Sequence, residues 1–185
     1  LQFYEETGFV PSGCFAIKNA KPFESGYTVD ESYEVDYNFF KFDPIDDNIP
    51  LKILIFDLEV YSKTGAFPCA SVMSDVIFQC SLVSQHGNQI EKMVLCLHDT
   101  ELHEHPDIKL VVYNSETDLI NGFKSHVSRI DPDIISGYNI NQFDWPYLHD
   151  RAEILNINDF NALSKTNTKF DLRRTSQSSA AMGDL

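Results

Sequence analysis

Apolar residues along the chain predict strands first, and then strands alternating with helices. The segment LKILIFDLEV at 51–60 is rich in large and β-branched apolar side chains and predicts a buried strand. Two further apolar segments, 76–84 and 90–97, flank the turn sequence HGN at 86–88 and predict a hairpin. After a polar loop, residues 110–114 predict another short strand.

Helical spacing follows this last strand. A capping-box pattern at Ser115–Asp118 precedes apolar residues at intervals of three and four, which predicts a helix up to residue 130. Residues 133–138 predict another buried strand, and a second helix is expected to begin near Asp144, with Pro146 in its first turn. This order of elements indicates an α/β fold, a mixed sheet flanked by helices.

The first fifty residues differ from the rest. They are aromatic and acidic, with Gly and Pro at turns and no helical periodicity, and therefore predict short strands and loops. We expect a boundary near 46–50, so that 1–50 and 51–185 are separate units. The sequence is polar from residue 156 onward and shows no sign of a closing element.

Composition excludes several classes of protein. The 185 residues are 43% hydrophobic, which suits a globular core and excludes a disordered chain. No apolar run is long enough to span a membrane and the start lacks a signal-peptide pattern, so the sequence predicts an intracellular protein with no membrane partner. The cysteines are widely spaced without a C-x-x-C pair and predict buried free thiols: Cys14, Cys69, Cys80 and Cys96.

The charge limits how the protein can bind nucleic acid. With 28 acidic and 14 basic residues, the net charge of −14 excludes a general basic binding surface. Any contact with a phosphate backbone is expected near the basic residues toward the end of the chain: Arg151, Lys165, Lys169, Arg173 and Arg174.

Asp57 and Glu59 lie on one face of the predicted strand at 51–60, because side chains alternate between the faces of a strand. Two like charges beside a core cost free energy unless a cation neutralises them, and hard carboxylate oxygens suit Mg²⁺ or Mn²⁺. For this pair taken alone, a strand end with both carboxylates in solvent is the commoner explanation.

Asp144 is the third candidate. Its position just before Pro146 is typical of a helix N-cap, which is the simpler interpretation of the residue taken alone. A helix that follows a buried strand can also return its first turn to the edge where Asp57 lies. Three converging carboxylates are typical of a two-cation phosphodiester site. The sequence therefore predicts catalysis and metal binding at Asp57, Glu59 and Asp144.

Two motifs carry a family resemblance. FDLEVYS at 56–62 resembles the first exonuclease motif of family B DNA polymerases, and GYNINQFDWPYL at 137–148 resembles the second. The likeness extends to AFP at 66–68 and to ETGFVPSGCFAI at 6–17, which resembles the end of the family's N-terminal domain. The most similar branch is the delta type of eukaryotes and large DNA viruses. The resemblance implies a ribonuclease-H-like exonuclease domain at 51–185, preceded by a short β-rich segment that ends the N-terminal domain.

The resemblance also implies roles for individual residues. Asp57 would bridge two divalent ions, Glu59 would bind the ion that activates water, and Asp144 would hold the other. Three further residues would bind substrate, two of them shaping the pocket for the terminal nucleotide and the last lying against the unpaired 3′ end: Asn139, Phe143 and Phe67.

The implied function is proofreading, in which a 3′→5′ exonuclease hydrolyses the terminal phosphodiester of DNA. Its partners would be a single-stranded primer terminus, the remaining polymerase chain and, through that chain, a sliding clamp, in the nucleus or at a viral replication site. The family's third motif is not found in these residues, so we expect the fragment alone to be inactive and polymerisation to belong to a longer protein. The alternatives are a free-standing acidic-site exonuclease and a non-catalytic module that keeps the fold for packing.

Overall fold

The protein is described by a computed structural model, which covers residues 5, 14–24, 26, 31–36, 43–45, 50–98, 105–160, 163, 178–179 and 183–184. The chain divides into two compact units, Leu1–Pro50 and Leu51–Leu185. Assigning the first unit to the end of an N-terminal domain stays a prediction, and much of the segment 6–17 lies outside the described residues.

The first unit contains short strands, as its sequence predicts. Strands β1 (Cys14–Ala16) and β4 (Asp43–Ile45) pair antiparallel, with Cys14 opposite Ile45. Strands β2 (Lys21–Pro22) and β3 (Tyr33–Glu34) form a second antiparallel pair. Both strands of this second pair are exposed.

The second unit is built on a mixed five-stranded sheet. Its strands and helices are β5 (Lys52–Tyr61), β6 (Val76–His86), β7 (Gln89–Leu97), β8 (Ile108–Tyr113), α1 (Glu116–Ile130), β9 (Ile134–Ser136) and α2 (Asp144–Ile154). The strand order is β8-β7-β6-β5-β9. The pairs β5–β6 and β6–β7 are antiparallel, whereas β8 runs parallel to β7 and β9 parallel to β5. The predicted mixed α/β fold is therefore confirmed. A short pair, β10 (Ser178–Ser179) and β11 (Gly183–Asp184), lies further along the chain.

The predicted hairpin joins β6 to β7 through two residues only. His86 pairs with Gln89, which leaves Gly87 and Asn88 as the turn. Gly87 has φ 58°, the conformation that a type II′ turn requires at its first central position. His86 therefore belongs to the strand and not to the turn, because this tight geometry needs no third residue.

The two helices begin differently. Ser115 caps α1, since its hydroxyl accepts a hydrogen bond from the Asp118 N–H at 3.1 Å, as the capping-box pattern predicts. Helix α2 has Phe143 at its N-cap and no side-chain cap. Pro146 lies in the first turn of α2, where its missing N–H leaves no helical hydrogen bond unmade.

The core lies on one face of β5. Leu54, Phe56 and Leu58 are buried in a cluster that includes apolar side chains of α1 and α2. The Phe56 ring meets the edges of Phe123 and Trp145 at centroid distances of 5.2 and 4.9 Å. Burial of each such side chain contributes about 1.5–3 kcal/mol. This packing fixes β5 in the sheet and leaves its alternate residues on the opposite face.

The prediction of buried free cysteines is correct for two residues and wrong for a third. Cys80 and Cys96 are buried free thiols, as predicted, but Cys69 is free and exposed because it lies in the loop between β5 and β6. None of the described helices combines the length and apolar character that a membrane span needs.

Candidate active site

The carboxylates of Asp57 and Glu59 lie on the exposed face of β5, with Ile55 before them. The alternation of side chains along this strand is therefore as predicted. Directly after Glu59 the pairing with β6 shifts: Glu59 is opposite Gln79 and Val60 is opposite Ile77, so Phe78 is the extra residue of a bulge. Bulges bend a strand and change the direction of nearby side chains, and here the bend comes where the acidic pair ends.

Asp144 reaches the same strand from α2. It is the first residue of that helix, is only 3% exposed, and its Oδ1 accepts a hydrogen bond from the Leu58 N–H at 3.0 Å. Leu58 lies between Asp57 and Glu59, so Asp144 is bonded to the β5 backbone between the other two acidic residues, and their charges act on it. The interpretation of Asp144 as an N-cap is wrong, because Phe143 occupies that position.

The close approach of the segment before α2 depends on a glycine. Strand β9 pairs with β5 only from Ile53 to Ile55 and ends at Ser136, earlier than the predicted 133–138. At Gly137 a Cβ would lie well inside 3.0 Å of the Phe56 carbonyl oxygen. Only glycine fits this contact without a shift, and it brings the chain past β5 before α2 begins.

The electrostatics of the site favour a bound cation. Burial raises the pKa of Asp144, the N–H of Leu58 and its own N–H lower it, and the negative charges of Asp57 and Glu59 raise it further. Burial, together with the charges of Asp144 and Asp57, also raises the pKa of the Cys80 thiol well above its usual range. An all-oxygen set of mutually repelling carboxylates suits a hard divalent cation such as Mg²⁺.

A second acidic group lies on α2. Among the described residues, one set of three possible ligands has its ligand atoms all within 4.8 Å of one another, and it consists of His149, Asp150 and Glu153. The carboxylates of Asp57, Glu59 and Asp144 are spaced more widely than that. His149 lies 3.5 Å from Asp150 and 3.9 Å from Glu153, as neighbouring positions on a helix surface allow.

Two of the predicted substrate residues are brought together. Phe67 is 78% exposed and its ring meets the edge of Phe143 at a centroid distance of 5.1 Å. Phe143 also contacts Tyr147, at 5.5 Å. Asn139 is exposed, has φ 54° in the turn before α2, and its carbonyl accepts the N–H groups of Gln142 and Phe143. The roles of these residues stay predictions.

One expected phosphate contact is wrong. Arg151 is 1% exposed, and its guanidinium donates to both carboxylate oxygens of Glu116 at 2.9 and 2.8 Å, so it cannot reach a phosphate backbone. The spacing along the chain carries a signal for this burial, because Arg151 lies seven residues after Asp144 and both are therefore on one face of α2. For Glu116 the sequence predicts only a place in the capping box. The other four basic residues lie outside the described part of the chain: Lys165, Lys169, Arg173 and Arg174.

An α/β domain with three acidic residues on and beside one strand is consistent with the two-cation sites that enzymes such as nucleases and polymerases use. Comparison with known protein families gives a more specific assignment. The family model described as DNA polymerase family B, exonuclease domain, matches residues 1–183, so the chain belongs to this family. The predicted resemblance is therefore confirmed, and with it the exonuclease class of the domain. Membership implies a general dependence on divalent metal ions.

Two polymerase catalytic subunits support this assignment by their sequence identity. The DNA polymerase catalytic subunit of Saimiriine herpesvirus 2 (strain 11) is 32% identical over 169 residues, covering 84% of this chain and 16% of the viral protein. The DNA polymerase delta catalytic subunit of Schizosaccharomyces pombe is 34% identical over 137 residues, covering 72% and 12%. The solved family B DNA polymerase from the hyperthermophilic archaeon Pyrobaculum calidifontis has a TM-score of 0.48 and 25% identity, with 84% of this chain and 17% of that chain covered. The chain thus spans only a small part of each relative's length.

Proposed function

We propose that the chain is the proofreading 3′→5′ exonuclease domain of a replicative DNA polymerase, with its active site at Asp57, Glu59 and Asp144. The observation that carries this proposal is the hydrogen bond from the Leu58 N–H to Asp144. It joins the start of α2 to the strand position between the two other carboxylates. Asp144 is thereby held against β5 between the positions of Asp57 and Glu59, which supports a shared site for the three side chains.

The three carboxylates would hold two divalent cations, Mg²⁺ or Mn²⁺. When bound, such ions supply an activated water and stabilise the charge on the leaving 3′ oxygen. The protein's own contribution is placement. Asp144 is held by the β5 backbone, while Asp57 and Glu59 extend from the exposed face of the same strand. Burial and, to a smaller extent, repulsion by the charges of Asp57 and Glu59 raise the pKa of Asp144 in the absence of cations.

The substrate would be the single-stranded 3′ end of DNA. The exposed ring of Phe67, supported by the edge contact with Phe143, offers a face on which a base can stack, which contributes about 1–3 kcal/mol per base. Asn139 lies in the turn that leads to Phe143 and would help to shape the pocket for the terminal nucleotide.

The wider setting follows from the relatives. We propose that these residues act within a longer family B polymerase chain, on a frayed primer terminus, in the nucleus or at a viral replication site. A sliding clamp would be a further partner of that longer chain. The relatives are catalytic subunits of delta-type and herpesvirus polymerases, which supports this setting.

The test compares two double variants, D57N/E59Q and D150N/E153Q. Each removes two charges, but only the first alters the proposed site. Melting of the wild-type chain is followed with increasing Mg²⁺ or Mn²⁺. At 100 times the Kd, mass action adds about 2.7 kcal/mol and raises Tm by roughly 5–10 °C. We expect D57N/E59Q to lose this rise and D150N/E153Q to keep it.

The same variants are then placed in a polymerase chain that carries these residues. D57N/E59Q should lose single-strand 3′→5′ degradation by orders of magnitude and retain nucleotide addition. If the metal response is lost in D150N/E153Q but kept in D57N/E59Q, the assignment of the site is wrong. If neither the response nor degradation changes in D57N/E59Q, a non-catalytic module is the better explanation.

A further inference from the structure

Arg151 uses every donor of its guanidinium inside the protein. Nε and Nη2 bond the two oxygens of Glu116, Nη1 donates to the carbonyls of Ala70 (2.9 Å) and Val72 (3.2 Å), and Nη2 also donates to the carbonyl of Met73 (3.2 Å). A guanidinium has five N–H donors, and these five bonds account for all of them. The side chain therefore joins α2 both to α1 and to the loop that precedes β6.

This loop, residues 62–75, is held by further bonds at its second half. Glu116 Oε1 also accepts the N–H of Ile77 at the start of β6, at 2.8 Å. The Tyr147 hydroxyl donates to the Asp75 carbonyl at 2.7 Å, and an Asp75 oxygen accepts the Cys69 N–H at 3.0 Å. The backbone from residue 69 to residue 77 is thus fixed by polar side chains of the two helices and of the loop itself.

Phe67 lies at the boundary of this fixed segment. With 78% of its surface exposed, its ring gains little from burial, and its position depends on the backbone that carries it. Pro68 restricts the conformation of Phe67 and links it directly to Cys69. The ring of Phe67 contacts Phe143, which is the N-cap of the helix that also carries Arg151.

We propose that Arg151 is a positioning residue for substrate: by holding the carbonyls of Ala70, Val72 and Met73, it places Phe67 where the 3′-terminal base stacks. The inference rests on the proposed function, since it requires a DNA strand at Phe67. It assigns Arg151 an effect on the affinity for single-stranded DNA and none on the hydrolytic step at the carboxylates.

Two variants weaken this hold in different ways. R151K keeps a positive charge beside Glu116 but offers three donors in place of a planar set of five, so loop carbonyls lose their partners. R151M/E116Q removes the buried charge pair altogether and keeps an acceptor for the Ile77 N–H, which guards against misfolding caused by one unpaired charge. The matched control is R129K, because Arg129 of α1 also contacts both oxygens of a glutamate, Glu91, but on the surface.

Each variant is made both with the native Phe67 and in combination with F67A. All are tested in a polymerase chain that carries these residues. Binding of a single-stranded oligonucleotide is measured by fluorescence anisotropy in the D57N/E59Q background, where hydrolysis does not interfere. KM and kcat for degradation are measured with the intact carboxylates. We expect R151K and R151M/E116Q to raise Kd and KM about tenfold, within the range that loss of one stacked base gives, and to change kcat less than twofold.

The effect of Arg151 should disappear when Phe67 is already alanine. R129K should change none of these quantities. An equal tenfold loss in the F67A background, or a fall in kcat that matches the rise in KM, would show that Arg151 acts on stability or chemistry and not through Phe67. If F67A alone leaves Kd unchanged, the strand does not stack there and the inference is wrong. Failure of the proposed function would be detected separately, because that function is tested by whether D57N/E59Q loses the degradation of single-stranded DNA.

Discussion

Replacing Gly137 by alanine should disrupt the candidate site without touching an acidic residue. The added Cβ lies well inside 3.0 Å of the Phe56 carbonyl oxygen, so the segment before α2 must move away from β5 by about half an ångström or more. Overpacking of this kind costs about 1–3 kcal/mol. The shift also stretches the 3.0 Å bond between the Leu58 N–H and Asp144, and a bond to a charged group contributes about 1.5–3 kcal/mol.

We therefore expect G137A to lower the free energy of unfolding by about 2–5 kcal/mol and Tm by roughly 5–15 °C. The rise in Tm with Mg²⁺ should shrink as well, because Asp144 no longer lies against β5. Thermal melts with and without the cation measure both effects. The control is G65A, since Gly65 has φ +71° but open space around it, so alanine adds backbone strain only. A G137A chain with the wild-type Tm and the wild-type response to Mg²⁺ would refute the account of this contact.

Two further predictions concern protonation. D144N keeps an acceptor for the Leu58 N–H but removes a buried charge, so without divalent cations it should raise the free energy of unfolding by about 0.5–2 kcal/mol. Burial raises the pKa of Asp144, so its contribution to stability is complete below the usual aspartate pKa of 3.8 and is lost as pH rises through the raised value. Urea titrations across this pH range measure the free energy of unfolding of both proteins. The advantage of D144N over the wild type should grow as pH rises, and a constant difference would contradict the prediction. The Ser71 hydroxyl and N–H lower the pKa of the exposed Cys69 thiol, so S71A should shift its alkylation to higher pH, as followed by peptide mass spectrometry, whereas buried Cys80 should not react. An unchanged alkylation profile in S71A would exclude the Ser71 hydroxyl as a cause of the lowered pKa.

Local patterns in the sequence were enough to predict most of the fold. The strand at 51–60 and the helix after Ser115 depend on side-chain alternation, helical spacing and a cap, all of which lie within one element. The convergence of Asp144 with Asp57 could be predicted because Asp57 lies on one strand of the sheet, and Asp144 follows another strand after a single turn. The sequence pattern is equally compatible with Asp144 as an N-cap, and only the position of Phe143 excludes that alternative.

What the sequence could not show depends on distant contacts. Arg151 and Glu116 are 35 residues apart, and their pairing depends on how α1 and α2 pack beside the 62–75 loop. From the sequence alone, a basic residue near other basic residues indicates a surface charge. Arg151 is buried because the fold surrounds it with three carbonyl groups and a carboxylate from distant parts of the chain. The parallel pairing of β8 with β7 is likewise a property of the sheet and leaves no local pattern.

The bond between the Leu58 amide and Asp144 also gives this domain an internal spectroscopic reporter. The amide belongs to the main chain of a buried strand residue, whereas its acceptor is a carboxylate of the candidate metal site. Any event that withdraws electron density from that carboxylate, whether a proton or a cation, weakens the acceptor and moves the amide proton resonance upfield. A single cross-peak in an ¹⁵N–¹H correlation spectrum, together with its deuterium exchange rate, would then report occupancy of the site in solution. Uniform ¹⁵N labelling is sufficient, so no dye or spin probe needs to be attached and no side chain that binds the ions needs to be changed.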